Sequence, residues 1–290
     1  MDGMNASPTW RLQVNHTTGY HYSGQVVSSY NEARITPLTD TVQLTIDSSV
    51  DITPTARAYR YWDYWGCLVH AFDVHVPHNH LVVTGRSLVE TAPGSDADVD
   101  PGASWAVIDD PRTADTQQEL LASTEYVPYL SERVRAQARE LRTAGTPHEA
   151  ARATAAWVKD TLVYERGITR VSTSADEAWD AGHGVCQDFA HLTLAMLRAM
   201  GIPSRYVSGY LHPTVDAAVG TTVTGESHAW VEWWAGEWVR YDPTNAIPVG
   251  ARHVVVGRGR DYGDVSPLKG IYSGGAAGEL EVKVELTRMS

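Results

Sequence analysis

The sequence predicts an α+β fold, in which a strand-rich first third leads through helices to an antiparallel hairpin. Three observations carry this. Short apolar runs with period-2 alternation fill the chain before residue 92, capped helical stretches occupy the middle, and a Trp-rich segment around residues 226–243 folds back on itself at Trp234-Ala235-Gly236. The expected organisation is an all-β, sandwich-like N-terminal domain over residues 1–92, a linker over 93–104 and an α+β core over 105–290 that ends in strands. A chain of 290 residues has room for this at roughly 100–200 residues per domain.

Residues 41–47 alternate with Val42, Leu44 and Ile46 on one side, the pattern of a half-buried strand with that side inward. Runs at 11–16, 20–22, 25–30, 56–64, 67–76 and 81–89 are rich in Val, Tyr, Trp and Leu and are separated by Gly, Pro and Asn, so each reads as a strand. Cys67 falls in one of them and reads as a packing residue. His75, His78 and His80 have a spacing that suits a metal, but Pro77 and Asn79 between them favour a turn with solvated imidazoles.

The Gly, Pro, Asp and Ser of residues 91–104 leave little to bury and mark the linker, and the acidic stretch 96–115 extends it as a solvated segment. Helix follows over 129–141. A second begins at Thr146-Pro147-His148-Glu149, where a capping Thr, a Pro in the first turn and a Glu three residues on define a start. A short helix over 175–181 is opened by Ser174 and stopped by Gly182.

The charge balance excludes one class of partner. With 23 Lys plus Arg against 35 Asp plus Glu the net charge is −12, and no basic cluster offers counterion release on a nucleic acid. No cationic segment followed by an apolar run opens the chain, and no run of about 18 apolar residues is present to span a bilayer. A cytoplasmic protein without nucleic-acid or membrane partners is expected. Its two cysteines, Cys67 and Cys186, cannot form the framework of a small secreted scaffold.

Chemistry concentrates after residue 182. Gly182-His183-Gly184-Val185-Cys186-Gln187-Asp188 leads into a stretch that is apolar nearly all round to Met200 and ends at Gly201 and Pro203, the pattern of a buried helix. Cys186 stands at its first turn, where unpaired N–H groups and the helix dipole favour negative charge. Taken alone, such a cysteine is more simply a small buried hydrophobe at a helix start, and it is the His-Ala-Trp and Asp-Pro-Thr blocks following in order that turn the reading to catalysis. A nucleophile needs a base, and the hairpin offers His228. If Trp234-Ala235-Gly236 is the loop with Gly236 left-handed, Trp233 pairs with Glu237 and His228 stands opposite Asp242. A carboxylate there would fix the imidazole tautomer and stabilise its protonated form.

The segments GVCQDFAHLTLAMLRAMGIPSRYVSGY, SHAWVEWW and VRYDPTN resemble the transglutaminase-like superfamily in its bacterial branch, most strongly over residues 155–245. The first ninety residues and the tail RDYGDVSPLKGIYSGG are similar to the parts that accompany this core. The resemblance implies a papain-like transglutaminase core, a nucleophile helix packed on an antiparallel sheet. It also implies Cys186 as nucleophile, His228 as base and later acid, and Asp242 as the orienting group. An upstream side chain supplies a second oxyanion donor in some relatives, and Tyr164 is the matching candidate here, beside the Cys186 backbone N–H. Gln187, Asp188 and His191 are candidates for a polar substrate group, and Trp230 for one wall of the groove. Asp188 also suits the first turn for dipole reasons alone.

These residues imply attack of Cys186 on the carbonyl of a peptide, amide or thioester substrate and a thioester acyl-enzyme, with neither cofactor nor metal. Water would make the enzyme a peptidase or amidase, which is the leading expectation. An amine or a carbon nucleophile would make it a transglutaminase, acyltransferase or cyclase. A groove retained only for binding is the alternative of another class.

Overall fold

The computed structural model describes residues 9–93, 100–129, 131–165, 173–225, 227–276 and 278–290. Residues 1–8 and the 94–99 part of the expected linker lie outside them. The described chain forms three layers, with helices on one face of a five-stranded antiparallel sheet and an eight-stranded sheet on the other.

The larger sheet is organised by β1 (Trp10–Ala33), which absorbs the three short strands expected between residues 11 and 30. Gly19 continues the ladder instead of breaking it, paired with Val82 on one side and Glu281 on the other. On β1 pair β5 (His78–Thr91), which carries β2 (Gln43–Thr53) at its outer edge, and β4 (Leu68–Val74), which carries β3 (Tyr59–Trp62). The remaining partners come from far along the chain: β14 (Leu268–Gly274), β15 (Glu279–Arg288) and, beyond β15, β9 (Thr222–Gly225). The C-terminal strands, expected to finish the core, thus complete the N-terminal sheet.

Two local expectations are corrected. In β2 the period is right and the phase inverted: Leu44 and Ile46 are exposed and Gln43 is buried. The Gln43 amide decides it, donating to Leu38 O and Val255 O and accepting from Val255 N, so that it satisfies backbone in the adjoining sheet. His78 is not a solvated turn residue but the first residue of β5, buried edge-on against Tyr22 with Nδ1 near Val76 O. A bulge in β1 between His21 and Val26 brings Val26 opposite it.

After the first sheet come three short helices, α1 (Trp105–Ile108), α2 (Pro111–Thr116) and α3 (Gln118–Leu121), so the acidic stretch beyond residue 104 is helical rather than open linker. Ile108 anchors it in the core. Next are α4 (Glu132–Leu141) and α5 (Pro147–Thr161), the latter opened by a complete Thr146–Glu149 capping box. β6 (Val163–Tyr164) pairs in parallel with β7 (His183–Gly184), which follows α6 (Ala175–Ala181). α7 (Cys186–Ala199) is buried over nearly its whole length and ends where Gly201 turns left-handed and Ile202 N–H closes onto Leu197 O.

The five-stranded sheet runs in the order β12 (Ile247–Pro248), β11 (Trp238–Asp242), β10 (His228–Trp234), β8 (Ser204–Leu211), β13 (His253–Gly259). The helix α8 (Tyr262–Val265) then returns the chain to the first sheet. Alternation along β10 sends Ala229, Val231 and Trp233 into the core shared with α7. On the other face Tyr210, Val254 and Val256 pack against Trp10, Leu12, Val14 and Leu286 of the larger sheet. At roughly 1.5–3 kcal/mol for each large apolar side chain fully buried, this second interface is a substantial part of the fold and fixes the N-terminal sheet against the core.

Candidate active site

Cys186 opens α7 and is half-buried. The preceding Val185 is extended and has no side-chain acceptor, and the first turn is closed by Asp188, whose Oδ2 accepts from Val185 N–H at 2.8 Å. Gly184 makes this possible, because a Cβ there would lie 2.6 Å from Asp188 Cβ. Asp188 therefore caps the nucleophile helix.

The hairpin register differs from the expectation by two residues. Trp234 pairs with Trp238 and Val231 with Tyr241, and Gly236 takes positive φ one place earlier in the loop than assumed. A shift of two keeps each side chain on its face. His228 and Asp242 consequently still meet, with His228 Nε2 2.8 Å from Asp242 Oδ2. Cys186 lines the same cavity as His228 and is near enough to favour the ring's protonated form.

Asp242 is fully buried and every acceptor position is used. Oδ1 accepts from the Thr244 and Asn245 backbone N–H groups at 3.0 and 3.1 Å, a turn that Pro243 enters without needing a donor of its own. Oδ2 receives the Asn245 side-chain amide at 2.7 Å besides His228, and His253 Nε2 stands 3.5 Å away. Gly250 N–H donates to His253 Nδ1, so the proton of this neutral ring lies on Nε2 and is aimed at Asp242. Burial opposes the Asp242 charge, but the hydrogen bonds from His228 and His253 outweigh it and hold the carboxyl far below the usual range. For His228 burial acts against protonation, while the hydrogen bonds to Asp242 and Cys186 and their charges prevail, pushing its pKa up to about 10.

Of the other residues singled out in the sequence, Tyr164 and Gln187 line the cavity with Cys186. His191 does not: fully buried, it accepts from Tyr262 N–H at 3.2 Å and packs against Tyr126 and Tyr206, and desolvation takes its pKa down to about 3. Trp230 is not a groove wall either. It lies beneath the site, 6.1 Å from the His228 ring and edge-on to His253 at 5.2 Å, its indole filling the space a Cβ on Gly209 would need. Asn245 and His253 were missed. Asn245 was within reach as the end of the Asp-Pro-Thr-Asn turn, whereas nothing local marks His253.

The cavity at Cys186 has a volume of about 340 Å³ and a second of about 400 Å³ adjoins it, with Tyr164, Ser227 and His228 lining both. The larger sheet forms one wall, through Thr18 and Tyr20 of β1 and Leu280 and Val282 of β15. Among the described residues no three His, Cys, Asp or Glu side chains are grouped to hold a metal ion, and no helix is long and apolar enough to cross a membrane.

This arrangement of a cysteine at a helix start and a histidine and aspartate on an antiparallel sheet is that of a papain-like cysteine-enzyme fold. Residues 135–243 match the transglutaminase-like superfamily and residues 12–90 the bacterial transglutaminase-like N-terminal region. The chain belongs to that family. It is 47% identical over 284 residues to an uncharacterized protein of Mycobacterium leprae, covering 97% of this chain and 100% of that one. A shorter stretch of 76 residues, 25% of this chain and 11% of the other, is 36% identical to a protein-glutamine gamma-glutamyltransferase of Pseudomonas aeruginosa. The fold is shared with the crystal structure of a candidate cysteine protease from Cytophaga hutchinsonii, at a TM-score of 0.76 and 18% identity, covering 98% of this chain and 99% of that one.

Proposed function

We propose that the protein is a cysteine-dependent acyl enzyme that hydrolyses an amide, with Cys186 as nucleophile, His228 as base and acid, and Asp242 as the group that orients and charges His228. The observation that carries the reading is the 2.8 Å contact between His228 Nε2 and a buried, fully hydrogen-bonded Asp242, with Cys186 lining the same cavity as His228. With His228 already holding the proton beside Cys186, Sγ attacks the carbonyl carbon, and the proton passes from His228 to the departing nitrogen as the carbon–nitrogen bond breaks. Water then adds to the thioester with the now neutral His228 as base, releasing the acid and restoring the Cys186–His228 pair. The Cys186 N–H at the start of α7 and the Tyr164 hydroxyl are the proposed donors to the oxyanion.

Hydrolysis is favoured over transfer because Thr224, Ser227, Thr244 and Asn245 stand among the residues lining the cavity vacated by the amine, giving water polar partners on its way to His228. The short similarity to a gamma-glutamyltransferase supports transfer to an amine as the second reading. The test is labelling by iodoacetamide near neutral pH, followed by mass spectrometry of products with and without added amine. Cys186 should react faster than a free cysteine and the acid should form unchanged in the presence of amine. Labelling no faster than free cysteine overturns the chemistry, and conversion of the acid product to an amide replaces hydrolysis by transfer.

A further inference from the structure

Resting on the acyl-enzyme reading, we propose that the substrate is an amide joining an uncharged apolar acyl group to an amine that bears a carboxylate. The two cavities meeting at His228 divide the substrate between them. The acyl carbon becomes bonded to Sγ, so the acyl group occupies the cavity that Cys186 lines. The departing nitrogen takes its proton from His228, so the amine extends into the cavity that His228 lines without Cys186.

The walls differ in chemistry. On the Cys186 side stand Tyr20, Tyr206, Tyr262, Leu268, Leu280 and Val282, and no described lining residue is Asp, Glu, Lys or Arg. The second histidine there, His16, is kept neutral by burial, its pKa about 4, with both ring nitrogens engaged by the Tyr210 hydroxyl at 2.7 Å and Thr18 at 2.8 Å. A charged acyl group would give up water here, and the one cation on the lining, His228, is already engaged by Asp242 and Cys186. On the amine side the described lining contains no carboxylate and one lysine, Lys159. Its Nζ donates to Thr244 O at 2.7 Å and makes no ion pair among the described residues. An ammonium has three donors, so two remain for a ligand. In a chain of net charge −12 an ammonium facing the cleft is the local reversal that lets an anion enter.

The test compares phenylacetylglycine with phenylacetylglycinamide, which differ only in the carboxylate, and with succinylglycine, which differs in acyl charge, each against Cys186→Ala as background. The expected kcat/KM for phenylacetylglycine exceeds that for either other amide by about tenfold or more. Lys159→Met should bring the carboxylate-to-carboxamide ratio close to unity. Leu280→Lys, at a position 48% exposed and so tolerant of change, should raise succinylglycine relative to phenylacetylglycine. A parallel measurement by intact mass asks whether the phenylacetyl thioester of N-acetylcysteamine acylates Cys186. Cys186-dependent cleavage of all three amides at similar rates, or a ratio untouched by Lys159→Met, overturns the proposal and leaves the acyl-enzyme standing. Acylation by the thioester without cleavage of any amide does the same. Neither acylation nor cleavage overturns both.

Discussion

His253 points its Nε2–H at the same Asp242 oxygen that receives His228, from 3.5 Å, and its tautomer is set by the Gly250 N–H on its far side. A neutral donor beneath the carboxylate steadies its charge and fixes its orientation without competing for a proton. Replacing His253 by Leu should lower kcat/KM by about tenfold, the worth of one hydrogen bond to a charged group, and His253→Gln, which restores an N–H donor, should recover part of it. The positional effect is read in the titration of His228, which a purely structural defect would not move. An unaltered His228 titration in a folded His253→Leu protein would count against the role.

The charged pair also makes stability depend on pH, with a definite sign. His228 is raised from 6.5 to about 10 on folding, so its contribution is complete below 6.5 and is lost as pH climbs through about 10. Asp242 is depressed below 3.8, so its contribution is present above that value and lost as pH falls. Urea midpoints should thus decline between pH 6.5 and about 10. Cys186→Ala removes one of the groups that raise His228, and NMR titration of that variant should give a lower His228 pKa. A profile flat across the alkaline range would contradict the assignment.

Glu232 lies on β10 with zero exposure and faces three guanidinium groups: Arg205 on β8, Arg258 on β13 and Arg240 on β11. Arg258 continues to Asp40 ahead of β2, so the cluster ties the N-terminal region to the core. Burial opposes the Glu232 charge, and the arginines more than offset it. Glu232→Gln keeps the shape but leaves buried cations short of a counter-charge, which costs about 3–5 kcal/mol. Chemical denaturation should show that loss, and a change below about 1 kcal/mol, the level of an exposed pair, would show the cluster to be solvated.

What the sequence carried and what it did not divide along the range of the interactions. The helix starts at Thr146 and Ser174 were legible because a capping box is decided within four residues. The His228–Asp242 contact was legible despite a wrong register, since an error of two residues leaves both side chains on their faces. Gln43 was not, because the phase of β2 is set by the backbone of Val255, far along the chain. His253 reaches Asp242 only through the pairing of β13 with β8, and β15 joins β1 across the length of the protein. Local pattern contains neither. The same distance hides from local pattern the part the N-terminal region plays in the cleft, whose wall is built by Thr18, Tyr20, Leu280 and Val282 together.

Gly184 and Asp188 provide the sharpest test of how the nucleophile is placed. Asp188 Oδ2 ties the Val185 N–H immediately before Cys186, and a Cβ on Gly184 would fall 2.7 Å from that same oxygen and 2.6 Å from Asp188 Cβ. Gly184 has no left-handed conformation to protect, so the constraint is space rather than backbone strain. Asp188→Ala should cost about 1 kcal/mol, as for a lost helix cap, since the burial of α7 still holds the helix in place. Gly184→Ala should be the more damaging to turnover, because it pushes on the first turn of α7 and moves Sγ relative to His228, and a displacement of about 1 Å at the reacting atom is worth about a hundredfold in rate. The measurement pairs urea denaturation with the rate of Cys186 alkylation. If Gly184→Ala alkylates and turns over as the parent protein does, the close approach of these two residues is packing alone and does not position the thiol.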